Sequence, residues 1–302
     1  MQALRPTRIG YNTGDIVFHI VNYLGFAIFT FICIYPFYYI LVYSLSSPDQ
    51  AAIGTYFYPM GITLNNYYTL LASPGISKAA LISVGRTVIG TLASVICTTM
   101  LGYLVTQKQL PMRKIIYRFI VMTMYINAGL IPYYILLRNL SLINSFWVYV
   151  IPGLIGAFNM ILIKTYIEQL PASMEESAMV DGASYLRIFF SIIIPLSMPI
   201  IATVTVFNAV GQWNSFSDTL IFCPGGKLDT LQMKLYTILQ TTSQAFVDVR
   251  TDWIQDNPNV IAPTPTTIRM TITMIATLPI LFIYPFMQRF FVKGIMLGAT
   301  KG

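Results

Sequence analysis

Three carboxylates lie close together in a chain that is otherwise poor in charge. Glu175, Glu176 and Asp181 fall within seven residues, whereas Asp, Glu, Lys and Arg make up only 10% of the 302 residues. Two carboxylates can perform acid–base catalysis when both face one reacting point. Adjacent glutamates diverge on a helix, and Asp181 is too far along the chain to stack on either of them. The spacing therefore argues against a catalytic pair.

Other catalytic or metal-binding sets are also missing from the sequence. His19 is the only histidine, and Cys33, Cys97 and Cys223 are far apart without C-x-x-C spacing. A histidine-based metal cluster, a Ser-His triad or a disulfide framework needs more than this. We interpret the three cysteines as small buried hydrophobic residues. The sequence predicts neither a metal site nor a cofactor.

The acidic stretch is also explained by helix capping. Ser173 and Glu176 fit the S-x-x-E capping box, which would start a short helix. Asp181-Gly182 would end that helix, with Gly182 at positive φ, and Ser184 could cap the next one.

Capping does not explain the small residues Ser177 and Ala178 at the helix centre. Small side chains there would let another surface approach closely. A docking surface for a partner is therefore the second interpretation of the stretch.

The composition places the whole chain in a membrane. Hydrophobic residues make up 56% of it and the mean hydropathy is +0.67, whereas soluble domains carry about 25% charged residues. A membrane-spanning helix needs about 20 mostly apolar residues. We therefore predict an all-α, polytopic membrane helical bundle with six transmembrane helices. Their predicted ranges are 16–43, 81–105, 115–137, 146–167, 188–212 and 268–288.

The distribution of Lys and Arg predicts an orientation. These residues are more frequent in one alternate set of loops, which by the positive-inside rule is cytoplasmic together with both termini. Residues 1–15 then form a cytoplasmic N-terminal segment, and 16–302 form the membrane domain. Within it, 44–80 and 213–267 are extracytoplasmic and a loop at about 168–187 is cytoplasmic. We expect strands, turns and a short helix in 213–267.

The acidic stretch resembles the EAA motif of ABC importer permeases. From Glu176 the chain reads E-S-A-x-x-D-G-A, and Ile192-Ile193-Ile194-Pro195 follows at the spacing of that motif. Ser177 and Ile194 depart mildly from the usual residues. Residues 82–302 are similar to the carbohydrate-uptake class of these permeases, in particular to its smaller, maltose-type subunit.

The resemblance implies a function and a set of partners. The motif would form a cytoplasmic coupling helix that docks on an ATPase. The residues implied for docking are Glu176, Ser177, Ala178, Asp181, Gly182 and Ala183. The chain would be a permease in the cell (inner or cytoplasmic) membrane, working with a second, different permease and an extracytoplasmic solute-binding protein to import an oligosaccharide. It has no G-x-x-x-x-G-K-[ST] loop, so ATP would be bound by the separate ATPase subunits. It would be no enzyme and bind no nucleic acid.

Polar and aromatic residues within the predicted spans are candidates for a sugar path, because such groups usually face a cavity or a partner. The candidates are Asn127, Tyr133, Asn159, Asn208, Trp213 and Asn214. Each has a structural alternative, since asparagines join helices and aromatic rings line membrane interfaces. Arg86 is the costliest group within a span, and it faces either an aqueous path or the outer surface.

Other functions fit the sequence less well. A permease for a non-sugar solute shares every feature above. A secondary transporter would usually show an internal repeat, and none is evident. An intramembrane enzyme would need a Ser-Lys, paired-Asp or H-E-x-x-H set inside the spans, and the sequence has none.

Overall fold

Helices form all the regular structure that the computed structural model describes, which covers residues 13–51, 54, 57–240 and 264–299. This confirms the predicted all-α class. The helices are α1 Thr13–Ser44, α2 Pro48–Ala51, α3 Asn65–Ala72, α4 Pro74–Leu104, α5 Arg113–Thr123, α6 Leu130–Asn139, α7 Ala157–Ile167, α8 Ala172–Val180, α9 Tyr185–Ile188, α10 Ile194–Leu196, α11 Met198–Asn214, α12 Ser217–Phe222, α13 Leu231–Gln240 and α14 Pro265–Ala299. Two 3-10 turns, Phe146–Tyr149 and Ile151–Gly153, precede α7, and a π-helix, Phe189–Ile193, joins α9 to α10.

Three helices are long and apolar enough to cross a membrane, and two bent pairs raise the number to five. The three are α1, the Gly75–Leu104 part of α4 and the Pro265–Ile283 part of α14. The pair Phe146–Gly153 and Ala157–Ile167 bends by 44°, and the pair Tyr185–Leu196 and Met198–Asn214 bends by 82°.

The predicted third span, 115–137, is not one continuous helix. Residues 124–129 separate α5 from α6. Gly129 adopts φ +84°, and its N–H donates a hydrogen bond to the Asn127 Oδ1 at 2.9 Å. Pro132 follows within the first turn of α6. The side-chain bond and the positive φ replace the helical ladder locally, which the apolar periodicity of the sequence does not reveal.

The centre of the bundle is α4, which packs against α3, α7, α11 and α13. Glycines allow the closest approaches. A Cβ on Gly102 would lie 3.1 Å from Ile163 of α7, and one on Gly90 would lie 2.8 Å from the Gln212 side chain of α11. The positions of α7 and α11 against α4 therefore depend on these two glycines.

Helix α1 is largely uncovered. None of the side chains in its most apolar stretch is buried, and the buried residues of α1 are Val42, Tyr43 and Ser44 at its end. The helix packs against α14. Its remaining surface is apolar and is not covered by the described part of the chain.

The predicted loop 213–267 is helical where it is described. Residues 213–240 contain the end of α11 and helices α12 and α13, and no strand occurs there, contrary to expectation. The predicted turns and short helix are present, but residues 231–240 carry an apolar helical pattern that buries Leu231 and Ile238 instead of forming a strand. Residues 241–263 of this loop and residues 1–12 lie outside the described ranges.

Candidate functional site

The acidic stretch forms α8, but its first turn differs from the prediction. The helix begins after Pro171, and no side chain caps that end. Ser173 lies inside the first turn, so the predicted Ser173–Glu176 capping box is wrong. Proline already provides the φ that the start of a helix requires, and a side-chain cap is not needed to begin it there.

The other end of α8 is as predicted. Gly182 adopts φ +78°. Its N–H bonds the Met179 carbonyl at 3.0 Å, and the Ala183 N–H bonds the Ala178 carbonyl at 2.9 Å. These two bonds form a Schellman motif. Ser184 then accepts a hydrogen bond from the Arg187 N–H at 3.4 Å and caps α9, which also confirms the sequence analysis.

Helix α8 has an inward and an outward face. Ala178 and Met179 are half-buried and pack against an apolar cluster that includes Tyr103, Ile188 and Phe189. The outward residues are Glu176, Ser177, Val180, Asp181 and Gly182. Val180 is 88% exposed and is the apolar residue of this outward face.

The six residues implied for docking therefore divide between the two faces. Glu176, Ser177, Asp181 and Gly182 are exposed, whereas Ala178 and Ala183 pack partly on the bundle. Ala178, Asp181 and Ala183 also line a groove of about 240 Å³ beside Arg187.

A polar cavity of about 380 Å³ lies far from α8, between α4, α11, α12 and the 3-10 turns. Its polar and aromatic lining includes Arg86, Tyr133, Tyr149, Asn208, Gln212 and Asp218. Carboxamide, hydroxyl and aromatic groups together can bind a hydroxyl-rich solute through hydrogen bonds and ring stacking.

Arg86 organises one wall of this cavity. Its side chain is 2% exposed and forms an ion pair with Asp218, with Nη2–Oδ2 at 2.5 Å and Nη1–Oδ1 at 3.2 Å. Nη2 and Nε also donate to the Gln212 Oε1 at 2.9 and 3.1 Å. The guanidinium lies 4.3 Å from the centre of the Tyr149 ring. Arg86 therefore joins four elements and is fully paired.

Gln212 and Asp218 were missed as partners of Arg86 in the sequence analysis. The signal that could have found them is Arg86 itself, since a cation within a span requires a paired group. The sequence does not say which group, because Asp218 lies 132 residues away.

Three of the predicted path residues lie together. Tyr133 and Asn208 line the cavity. Asn159 donates to the Asn208 Oδ1 at 3.4 Å, and Ser94 reaches the same oxygen at 3.4 Å. The Asn208 Nδ2 is buried and has no hydrogen-bond partner among the described residues.

The other three predicted path residues lie elsewhere. Trp213 is buried in the apolar core, and its indole N–H donates to the Ala276 carbonyl of α14 at 2.8 Å. It is a packing residue because helical rotation points it away from neighbouring Gln212. Asn214 is exposed and accepts from Gln232 at 3.4 Å. Asn127 lies in the exposed break between α5 and α6.

A helical membrane bundle with an open, partly polar cavity and a short exposed helix at one end has the features expected of a transport permease. The sequence model of one family, described as binding-protein-dependent transport system inner membrane component, matches residues 90–297, and the chain belongs to this family. It is a membrane transport subunit and not an enzyme.

Relatives of known description extend over nearly the whole chain. The chain is 32% identical to the Bacillus subtilis (strain 168) polygalacturonan/rhamnogalacturonan transport system permease protein YtcP, over 95% of this chain and 99% of the relative. It is 33% identical to Protein LplC of the same organism, with 95% of each chain covered. A chain from the crystal structure of a bacterial ABC transporter involved in the import of the acidic polysaccharide alginate matches with a TM-score of 0.83 and 27% identity, over 93% of this chain and 99% of the other.

Proposed function

We propose that this chain is a permease subunit of an ABC importer and forms, with a second permease, the path for an oligosaccharide. The family and the relatives named for polygalacturonan/rhamnogalacturonan and alginate support this function. The cavity supports it as well, since Asn208, Tyr133 and Gln212 offer the groups that bind sugar hydroxyls.

The path is built from Tyr133, Asn159 and Asn208. Tyr133 and Asn208 line the cavity wall that the sugar passes, and Asn159 orients Asn208 by bonding its oxygen. Trp213, Asn127 and Asn214 are not included. The third span is α5, the break and α6 together, which gives six spans.

The uncovered surface of α1 supports the proposal that a second permease packs against this chain. A lipid-facing helix needs no partner, but α1 also carries Asn22 and Gly25 among Phe18, Phe26 and Phe29, around a shallow groove. Polar and small residues on one helix face favour helix–helix contact in membranes. A helix of the second permease packs on this groove.

The observation that carries the proposal is the exposed, rigid α8 built on the EAA motif. Both termini and α8 are cytoplasmic in this proposal. The outward residues Glu176, Ser177 and Val180 enter a groove of the ATPase, and α8 is the coupling helix. The chain itself binds no cofactor, a solute-binding protein delivers the sugar on the opposite side, and the ATPase hydrolyses the ATP.

The test is ATPase retention on the purified permease pair. Ser177→Trp places a large side chain on the outward face, so we expect it to insert and pair normally but to lose most of the ATPase. Ser217→Trp is the matched control, because Ser217 is equally an exposed helical serine but lies at the other end of the bundle, in α12. Wild-type retention by Ser177→Trp would overturn the docking role of α8.

A further inference from the structure

A residue outside the implied docking set joins α8 to the bundle. The Glu175 Oε1 accepts a hydrogen bond from the Tyr103 hydroxyl at 2.8 Å and another from the Gln107 Nε2 at 2.8 Å. Tyr103 lies in the last turn of α4, where it is only 3% exposed, and Gln107 lies in the segment just after that helix. Hydrogen bonds to a charged acceptor are stronger than neutral ones.

Within the described ranges, these two bonds are the polar side-chain contacts of α8 with α4 and the segment that follows it. The rest of its inward face consists of Ala178 and Met179, which pack on the apolar cluster without fixing a direction. Tyr103 is itself held by its ring, which stacks on Phe189 with 5.4 Å between centroids. The Tyr103 hydroxyl, which donates to Glu175, is therefore fixed in position.

The chain offers two mechanical routes from α8 to the polar cavity. The covalent route runs through α9, the π-helix and α10 into α11, and it bends by 82° between Leu196 and Met198. The other route is α4, a single uninterrupted helix of 31 residues. Tyr103 and Arg86 lie 17 residues apart on it, which is about 25 Å at 1.5 Å per residue.

A continuous helix transmits a displacement along its axis, whereas a bent chain absorbs part of it in the bend. The stiff route begins at Tyr103, which bonds Glu175, and reaches Arg86 in the cavity wall. Arg86 binds Gln212 of α11 and Asp218 of α12, so that a movement of α4 reaches both of these helices.

We propose that Glu175 is a positioning residue that transmits the movement of α8 to α4, through its hydrogen bonds to Tyr103 and Gln107. The ATPase binds to the outward face of α8. Glu175, on the inward side, transmits the resulting movement of α8 through α4 to the cavity. This inference rests on the proposed function, in which α8 is the ATPase-docking helix.

The test compares Glu175→Ala, Glu175→Gln and Tyr103→Phe in the assembled transporter reconstituted into liposomes. Three quantities are measured: ATPase retained on the permease pair, ATP hydrolysis, and oligosaccharide uptake per ATP hydrolysed. We expect retention and hydrolysis within about twofold of wild type in all three variants. Uptake per ATP should fall about tenfold in Glu175→Ala and Tyr103→Phe, in line with the loss of a charged hydrogen bond.

Glu175→Gln keeps an acceptor oxygen and should recover most of the uptake per ATP, which a purely structural role would not require. Tyr103→Phe keeps the stacked ring, and its thermal unfolding should stay within a few degrees of wild type. The combination Glu175→Ala/Tyr103→Phe should be no worse than Glu175→Ala alone, since Glu175→Ala already removes the bond to Tyr103.

Normal uptake per ATP in Glu175→Ala would overturn the positioning role. Loss of the bound ATPase in this variant would also overturn it, because Glu175 would then be a docking residue. Failure of the proposed function can be distinguished from failure of the positioning role. The first is measured by ATPase retention in Ser177→Trp, and the second by the ratio of uptake to ATP hydrolysis in the Glu175 variants.

Discussion

At the residue scale, the buried guanidinium of Arg86 is the strongest electrostatic feature of the described structure. A buried ion pair contributes little net stability relative to apolar residues, but removal of one partner leaves an unpaired charge. Arg86 also has Gln212 as an acceptor, so its loss would remove the donor to the Gln212 Oε1 and the cation beside Asp218.

Arg86→Met should therefore destabilise the chain by about 1–3 kcal/mol, because the Gln212 oxygen loses its buried donor and Asp218 keeps only its bonds from Ser215 and Thr219. Thermal unfolding in detergent measures the effect. Arg138→Met is the control, since Arg138 is exposed on α6, and it should unfold like wild type. The double variant Arg86→Met/Asp218→Leu should recover much of the loss. No recovery in the double variant would show that Arg86 acts through packing and not through its charge.

The Cys223 thiol offers a second measurement at this scale. It is 3% exposed, and burial raises the pKa of this thiol above its usual range. Because the thiolate is the reactive form, a raised pKa means less of it at any pH below that value. In a Cys33→Ser/Cys97→Ser background, maleimide labelling near pH 8 should be at least about tenfold slower in the folded chain than in denaturant. Equal rates would contradict the burial of Cys223 beneath α12.

The structural roles of some single residues were predictable from the sequence, whereas the roles of others were not. The positive φ of Gly182 and the cap at Ser184 were predictable, since each depends on residues within one turn. The role of Ser173 was not, because Pro171 starts the helix without it. The pairing of Arg86 depends on how distant helices pack, and no local pattern encodes that.

At the element scale, α8 depends on the turn at Gly182. An added Cβ there would meet no atom within 4 Å, so that only the φ of +78° opposes a side chain. Gly182→Ala should cost about 1 kcal/mol locally and tilt α8.

The bound ATPase measures this tilt. Retention on the permease pair should fall several-fold in Gly182→Ala and fall less in Gly182→Asn, because asparagine tolerates this conformation. Equal retention in both variants would show that the direction of α8 does not depend on this turn.

The contact between α4 and α11 gives another prediction. A Cβ at position 90 would lie 2.8 Å from the Gln212 Nε2, so Gly90→Ala should displace the side chain that binds Arg86. We expect a lower unfolding temperature and lower uptake. Gly85→Ala is the control on the same helix, since its Cβ would meet Phe146 at an ordinary 3.8 Å. Equal unfolding temperatures and equal uptake in the two variants would show that the stability of this contact does not depend on Gln212.

Most helices were predictable from apolar length, but their interruptions were not. The sequence predicted apolar segments where α1, α4 and α14 lie, because 20 apolar residues dominate any local signal. The break between α5 and α6 and the bend before Met198 arise where a side-chain bond or a proline competes with the helical ladder. A pattern of apolar residues that is measured over a whole span does not reveal such short interruptions of the helix.

At the scale of the whole molecule, composition was sufficient to predict a membrane bundle and the acidic motif was sufficient to suggest the family. Only some of the predicted path residues lie at or beside the cavity. Tyr133, Asn159 and Asn208 lie together, but Trp213 packs in the core, since rotation about a helix decides which of two adjacent residues faces inward. The uncovered surface of α1 indicates that the chain is completed by other molecules.

Gly25→Trp tests the contact of α1 with the second permease. The Cβ position of Gly25 is free of contacts within the described chain, so the tryptophan should not disturb this subunit itself. Co-purification of the second permease should fall at least about tenfold, which corresponds to about 1.4 kcal/mol. Ala27→Trp is the control, because residue 27 lies on the opposite side of the helix. If both variants pair normally, lipid alone covers the groove.

The 82° bend before α11 has a consequence for the speed of the transport cycle. Ser197 and the prolines on either side of it already interrupt the helical ladder at this point in the resting chain. A helix that had to melt a turn in every cycle would break hydrogen bonds each time, and its rate would rise steeply with temperature. If α10 and α11 change their angle during transport, the change needs only torsional adjustment at this existing break. The activation enthalpy of turnover should therefore reflect ATP hydrolysis and subunit closure, and straightening the bend should slow the transporter most at low temperature.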